Sequence, residues 1–189
     1  SFGEPELVGV SGPALSISGV GNVRVEGFRL TTASAASDVV SVVNSPEVSL
    51  RRLLVAGPAA AGLRVADSRR VELSNLTIHG AWTEAGLVAS TSPGLVVRNS
   101  IVTQTGADAP VISVDAASSP SADSDYNDYY WSGGGAAEVF RGVWNGVAVT
   151  DVQGPQELPD NDVDIFDWRE ASRATGNRQD LHSLAADPV

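Results

Sequence analysis

The chain has 189 residues, with 23 acidic and 12 basic side chains for a net charge of −11, every base being an arginine and both cysteine and methionine being absent. Those counts exclude a disulfide framework and a thiolate metal site, and they argue against nucleic acid or an anionic membrane surface as partner. No apolar run is long enough for a membrane span and no signal-peptide pattern is present. The length suits one domain. A chain without methionine whose first rung begins so early is expected to be a piece of a larger parent protein, and its Ser/Thr/Gly/Ala-rich, acidic composition fits a secreted or cell-surface setting.

In chain order, short apolar pairs with period-2 alternation recur every 23 to 25 residues. Leu7, Val8 and Val10 predict the last strand of a preceding turn. The first full turn runs Leu15/Ile17, a bend over 19–22, Val23/Val25, a corner at Glu26 and Gly27, then Phe28/Leu30, with 31–38 returning the chain. The second repeats it as Val40/Val42, Val48/Leu50 and Leu53/Val55, with a return loop over 56–61. The third is Leu63/Val65, a bend carrying Asp67, Val71/Leu73, a tight corner at Asn75, Leu76/Ile78, and a return loop over 79–84. The fourth is Leu87/Ala89, Leu95/Val97 and Ser100/Val102; a fifth begins at Ile112/Val114 and then loses the pattern.

Three short strands per repeat at this period predict an all-β fold, a parallel β-solenoid with three strands per turn. Equivalent strands would stack about 4.8 Å apart, piling Val23, Val48, Val71 and Leu95 into one apolar column. Asn75 and Asn99 share a column and predict an amide ladder along the stack. Glu26/Arg51 and Glu47/Arg70 fall at equivalent places on adjacent rungs and predict weak surface ion pairs.

Residues 132–189 read differently. A Gly133-Gly134-Gly135 break precedes strand-like alternation over 139–152 and a loop over 153–159. Residues 164–175 predict one short helix with an acidic first turn and Gly176 as its stop. A solenoid end leaves strand edges and core open, so this tail is expected to cap the coils of residues 1–131.

The order strand, turn, strand, Asn corner, strand, with VRVEGFRL (23–30) and LVVRNSIV (95–102), resembles the right-handed parallel β-helix of the pectate-lyase-like superfamily over roughly residues 12–131. Downstream, Ser124-Asp125-Tyr126-Asn127-Asp128-Tyr129-Tyr130, then Ala174-Thr175-Gly176, Leu181-His182-Ser183-Leu184 and Ala186-Asp187-Pro188, are similar to the tail of many bacterial β-helix-repeat proteins. The chain departs from that tail by inserting Arg178-Gln179 before Asp180 and by its long 147–159 segment. The resemblance implies a polysaccharide as the possible partner, with any groove on the outer face of the first strand's sheet.

That outer column is Ser16, Ser41, Arg64, Val88 and Ser113. A uronan lyase needs a base, often Lys or Arg, and calcium or an arginine to neutralise the substrate carboxylate. Lysine is absent, which leaves Arg64 as the candidate base. Trp82, read as exposed in a return loop, Glu84 and Asp108 complete the candidate ligand-binding set. A glycosidase needs facing carboxylates, and the columns align none. His79, opening a return loop with no Ser, Cys or carboxylate partner in view, is expected to be a surface residue or turn capper rather than a general base, and His182 a structural hydrogen-bonding residue. Asp160, Asp162 and Asp164 alternate like the start of a calcium loop, but Ile165 and Ala171 stand where such a loop wants Gly and Glu. Asp123, Asp125 and Asp128 raise calcium in the same way, with a structural turn as the expected explanation. Eight of the eleven aromatics fall between Tyr126 and Trp168, where sealing a solenoid end explains them. These residues predict a non-catalytic scaffold or glycan-binding segment, with a trimmed polysaccharide lyase as the alternative.

Overall fold

The computed structural model describes residues 5–106, 109–131 and 142–149. Strand β1 (Glu6–Gly9) opens the chain. The first turn is β2 (Leu15–Ser18), β3 (Arg24–Glu26) and β4 (Arg29–Thr32), and the second is β5 (Val40–Val43), β6 (Ser49–Arg51) and β7 (Leu54–Ala56). The third is β8 (Ala59–Ala66), β9 (Glu72–Ser74) and β10 (Thr77–Gly80), and the fourth is β11 (Trp82–Ser90), β12 (Val96–Arg98) and β13 (Ile101–Gln104). A fifth is β14 (Ile112–Val114), a single 3₁₀ turn at Ser119–Ser121, β15 (Asp123–Asp125) and β16 (Asp128–Trp131). Strands β17 (Gly142–Trp144) and β18 (Val147–Val149) close the described chain.

The protein is a parallel β-solenoid of about five turns. Three sheets run its length, ordered β18-β17-β14-β11-β8-β5-β2, β15-β12-β9-β6-β3 and β1-β4-β7-β10-β13-β16. Among the described residues every pairing is parallel except β17 with β18, a hairpin turned by Asn145 and Gly146, both at positive φ. Asn-Gly at such a corner supplies the two left-handed residues that a tight hairpin needs. Register follows the repeat: Leu15, Val40, Leu63, Leu87 and Ile112 share one column. Leu30, Val55, Ile78, Val102 and Tyr129 share another. Val48, Val71 and Leu95 are buried and Val23 packs against them. Each such aliphatic side chain contributes on the order of 1.5–3 kcal/mol by leaving water.

Several expectations need correction. The fifth turn does not dissolve after Ile112/Val114, because Ser124, Asn127 and Tyr129 take the inward places that aliphatics hold below. Asn127 Oδ1 accepts from the Ser100 N–H at 2.9 Å, its Nδ2 donates to the Val97 carbonyl at 2.9 Å, and the Ser124 and Tyr129 hydroxyls lie 2.9 Å apart. A closed polar network, invisible to an apolar-periodicity search, carries the coil there. The return loops at 56–61 and 79–84 are almost entirely strand, since β7 runs nearly into β8 and β10 into β11. Asn75 and Asn99 form no amide ladder: both are exposed, at φ 54° and 50°, where the bend turns their side chains outward. Glu47 pairs with Arg70, but Arg51 reaches Glu72 on the next rung, and Glu26 pairs with Arg24 and Arg52. Strand β1 does pair with β4, as the last strand of a preceding turn would. The helix expected over 164–175 lies outside the described residues. Residues 142–149 carry the first-strand sheet beyond residue 131.

Candidate functional site

The outer column of the first sheet has the register the repeat requires: Ser16, Ser41, Arg64, Val88, Ser113 and Val143. Arg64 is not free to act on a ligand. Its Nε donates to Asp38 Oδ2 at 2.8 Å, one Nη2 hydrogen reaches Asp38 Oδ1 at 3.2 Å, and Nη2 also donates to Glu84. Asp38 belongs to the rung below and Glu84 to the rung above, so one guanidinium clips three consecutive turns. Asp38 and Arg64 are largely covered, with side chains 13% and 23% exposed. The hydrogen bonds that Arg64 donates to Asp38, and then to Glu84, outweigh burial and hold the guanidinium above its already high range.

Trp82 is not an exposed loop aromatic. It is 3% exposed at the start of β11, and its Nε1 donates to the Thr103 carbonyl at 2.7 Å. The indole fits because glycines surround it: a Cβ at Gly80 would lie 2.8 Å, and one at Gly62 3.1 Å, from its six-membered ring. A β-bulge between Trp82 and Ala85 sets the indole inward while leaving Glu84 exposed. The Trp82 backbone is tied as well, its N–H to Gln104 Oε1 and its carbonyl to Gln104 Nε2, both at 2.9 Å. No ring face there is open for a sugar.

His79 stands in β10 with Nδ1 2.8 Å from the Thr103 hydroxyl on the next rung. Asp123 forms an ion pair with Arg98 across β12 and β15. Burial raises the Asp128 carboxyl above its usual range, and its Oδ1 has no partner among the described residues. Among the described residues no three His, Asp or Glu side chains gather as a metal site would require. Asp108, Asp160, Asp162, Asp164 and His182 lie outside the described residues.

The sequence reading missed a buried serine ladder at the bend between the first and second strands. The Val20 N–H donates to Ser45 Oγ, Ser45 N–H to Ser68 Oγ, Ser68 N–H to Ser92 Oγ and Ser92 N–H to Ser118 Oγ, at 3.3, 3.0, 3.2 and 2.9 Å. Ser45, Ser68 and Ser92 pass their own protons to Val43, Ala66 and Ser90 carbonyls, and Ser118 passes its proton to Asp115. Burial of Asp115 would raise its pKa, but bonds from the Ser118 hydroxyl and the Thr91, Ser118 and Ala117 N–H groups hold it below the usual range. The signal was in the sequence, as Asn44-Ser45, Asp67-Ser68 and Thr91-Ser92 at the repeat spacing.

Outside that ladder, the same bend carries a shallow groove of about 380 Å³ lined by Asn44, Pro46, Asp67, Arg69, Thr91 and Pro93. Comparison with known protein families, curated proteins and solved structures returns no match. The strand order and register define a fold class, the parallel β-solenoid.

Proposed function

We propose that the chain is a non-catalytic scaffold, a stretch of right-handed β-helix of the pectate-lyase-like kind within a larger secreted or cell-surface bacterial protein. The carrying observation is Arg64. A catalytic arginine base must release a proton during turnover, so its pKa has to fall toward the working pH. The carboxylates of Asp38 and Glu84 drive it the other way and occupy the fork that would neutralise a substrate carboxylate. The same contacts serve a mechanical purpose, locking three turns in register beside a face otherwise made of serines and valines. The Trp82 indole, with its Nε1 donating to Thr103, supports the reading by acting as core between rungs.

Incubation with pectate, alginate and other uronans, followed by absorbance of unsaturated product, tests this. The expected result is no product, and no difference between the chain and Arg64→Ala. Product formation that disappears in Arg64→Ala overturns the scaffold and establishes the lyase. Melting in calcium and in chelator is expected to coincide.

A further inference from the structure

The two ends of the described solenoid are built differently. At the C-terminal end the β17–β18 hairpin turns back antiparallel at the edge of the first sheet. At the N-terminal end β1, β2 and β3 are the outermost strands of the three sheets, with no strand beneath them among the described residues. An open strand edge is a template for another strand. This edge is also apolar. Leu7 stands in the core column of Leu30 and is still 38% exposed, Val8, Val10 and Val20 are exposed, and Leu15 and Phe28 are only half-buried. Four of the six large apolar side chains exposed among the described residues belong to this one end, which is the mark of an interaction surface.

Val20 shows what does not cover it. Val20 stands at the place that Ser45, Ser68, Ser92 and Ser118 hold in the turns above, and its N–H donates to Ser45 Oγ. A valine offers no oxygen to a bend N–H from below. One more turn of the same solenoid would bury that N–H without a partner, which is costly. The charges at this end favour a like surface instead. Residues 5–29 carry two acids, Glu6 and Glu26, against two bases, Arg24 and Arg29, within a chain of net charge −11. Those four are tied to each other, Arg24 with Glu26 at 2.6 Å and Arg29 with Glu6 at 3.4 Å. Net charge of one sign keeps copies of a protein apart, and little of that repulsion acts at a balanced end.

We infer that a second copy of this chain docks on the N-terminal end, end to end and through the same surface, about a two-fold axis. The two-fold runs the exposed strands of one copy antiparallel to those of the other, so the open edges on both sides gain partners while the serine ladder stops at Val20. The exposed apolar side chains of the two ends cover each other. An interface that uses one patch on both copies closes at two. The inference goes beyond the scaffold reading, which needs no partner.

Sedimentation velocity of the whole chain over a concentration series tests it. A monomer–dimer equilibrium is expected, with no larger species. Val10→Asp and Val20→Asp each place a carboxylate in the seam and are expected to weaken the dimer at least tenfold. Val147→Asp, exposed at the other end, is expected to leave it unchanged. Far-UV melting at a concentration where every variant is monomeric is expected to coincide with the parent, which separates lost docking from lost folding. A single spin label at Ser41→Cys or at Ser113→Cys, three rungs farther from the seam, gives the geometry in the unaltered interface. The distance between the labels of the two copies should be about 29 Å longer for residue 113, six rung spacings. A monomer at every concentration up to submillimolar, which leaves this end to a segment of its own chain, overturns the inference. So does growth beyond two, a dimer indifferent to both Val10→Asp and Val20→Asp, a dimer weakened by Val147→Asp, or equal label distances at 41 and 113. None of these outcomes touches the scaffold reading, which only a released product overturns.

Discussion

The two outward bends of each turn solve one problem in opposite ways. Between the second and third strands the chain turns on a single left-handed residue: Gly27, Arg52, Asn75, Asn99 and Tyr126, at φ 49° to 77°. There the backbone satisfies itself, with the Arg52 N–H donating to the Ser74 carbonyl at 3.2 Å and Asn75 to Arg98 at 3.1 Å. Only the dihedral is constrained, so glycine, arginine, asparagine and tyrosine all occupy the place. Between the first and second strands the bend is wider and begins and ends on left-handed residues, as at Asn44 and Glu47 or Asp67 and Arg70. The inward residue between them has an N–H that finds no carbonyl on the next rung. Serine fills that place in four successive turns, because a buried N–H without a partner is costly. One corner selects a backbone conformation and the other selects a hydroxyl.

The sharpest way to break that contrast is Ser68→Ala. It strands the Ser45 N–H in a site where Ser68 is 1% exposed, and should cost about 1–3 kcal/mol in urea denaturation. A loss under about 0.5 kcal/mol would mean the ladder is decorative.

The ladder's upper end gives the pH test. Asp115 has a lowered pKa in the folded chain, so its stabilisation is present above the ordinary value of 3.8 and is lost as pH falls through the lowered folded value. Asp115→Asn should therefore melt below the parent at pH about 7, with the gap closing toward pH about 2. A gap independent of pH would place its origin outside the carboxylate.

The tight corner should respond least. Asn75→Ala is expected to cost about 1 kcal/mol from left-handed strain alone, and Asn75→Gly to stay within about 0.5 kcal/mol of the parent. A large loss in Asn75→Gly would show that the asparagine side chain matters beyond its dihedral.

Much of the stack was legible because period and alternation report burial directly. Leu30, Val55, Ile78 and Val102 align as their spacing demands. The fifth turn was not, since Ser124, Asn127 and Tyr129 point inward through hydrogen bonds that no hydrophobic pattern reports. Asn75 and Asn99 were placed in the correct column, but the left-handed bend decides which way a side chain faces. Arg64 was found on the correct face, and its neutralisation was hidden because Asp38 and Glu84 lie 26 and 20 residues away, off the repeat by the offset of the preceding segment. Trp82 looked exposed because its concealment depends on glycines 62, 80 and 86, whose crowding exists only once rungs stack.

The account rests on in-register stacking of the turns, and a chain without cysteine allows spin labels to be placed without background. Labels at Ser16 and Ser41, on adjacent rungs of the outward column, should sit about 5 Å apart at the backbone, and labels at Ser41 and Ser113, three rungs apart, about 14 Å. Continuous-wave electron paramagnetic resonance should show strong dipolar broadening for the first pair and weaker, resolvable broadening for the second. Absence of broadening in the Ser16/Ser41 pair would contradict the stack, and the serine ladder and groove with it.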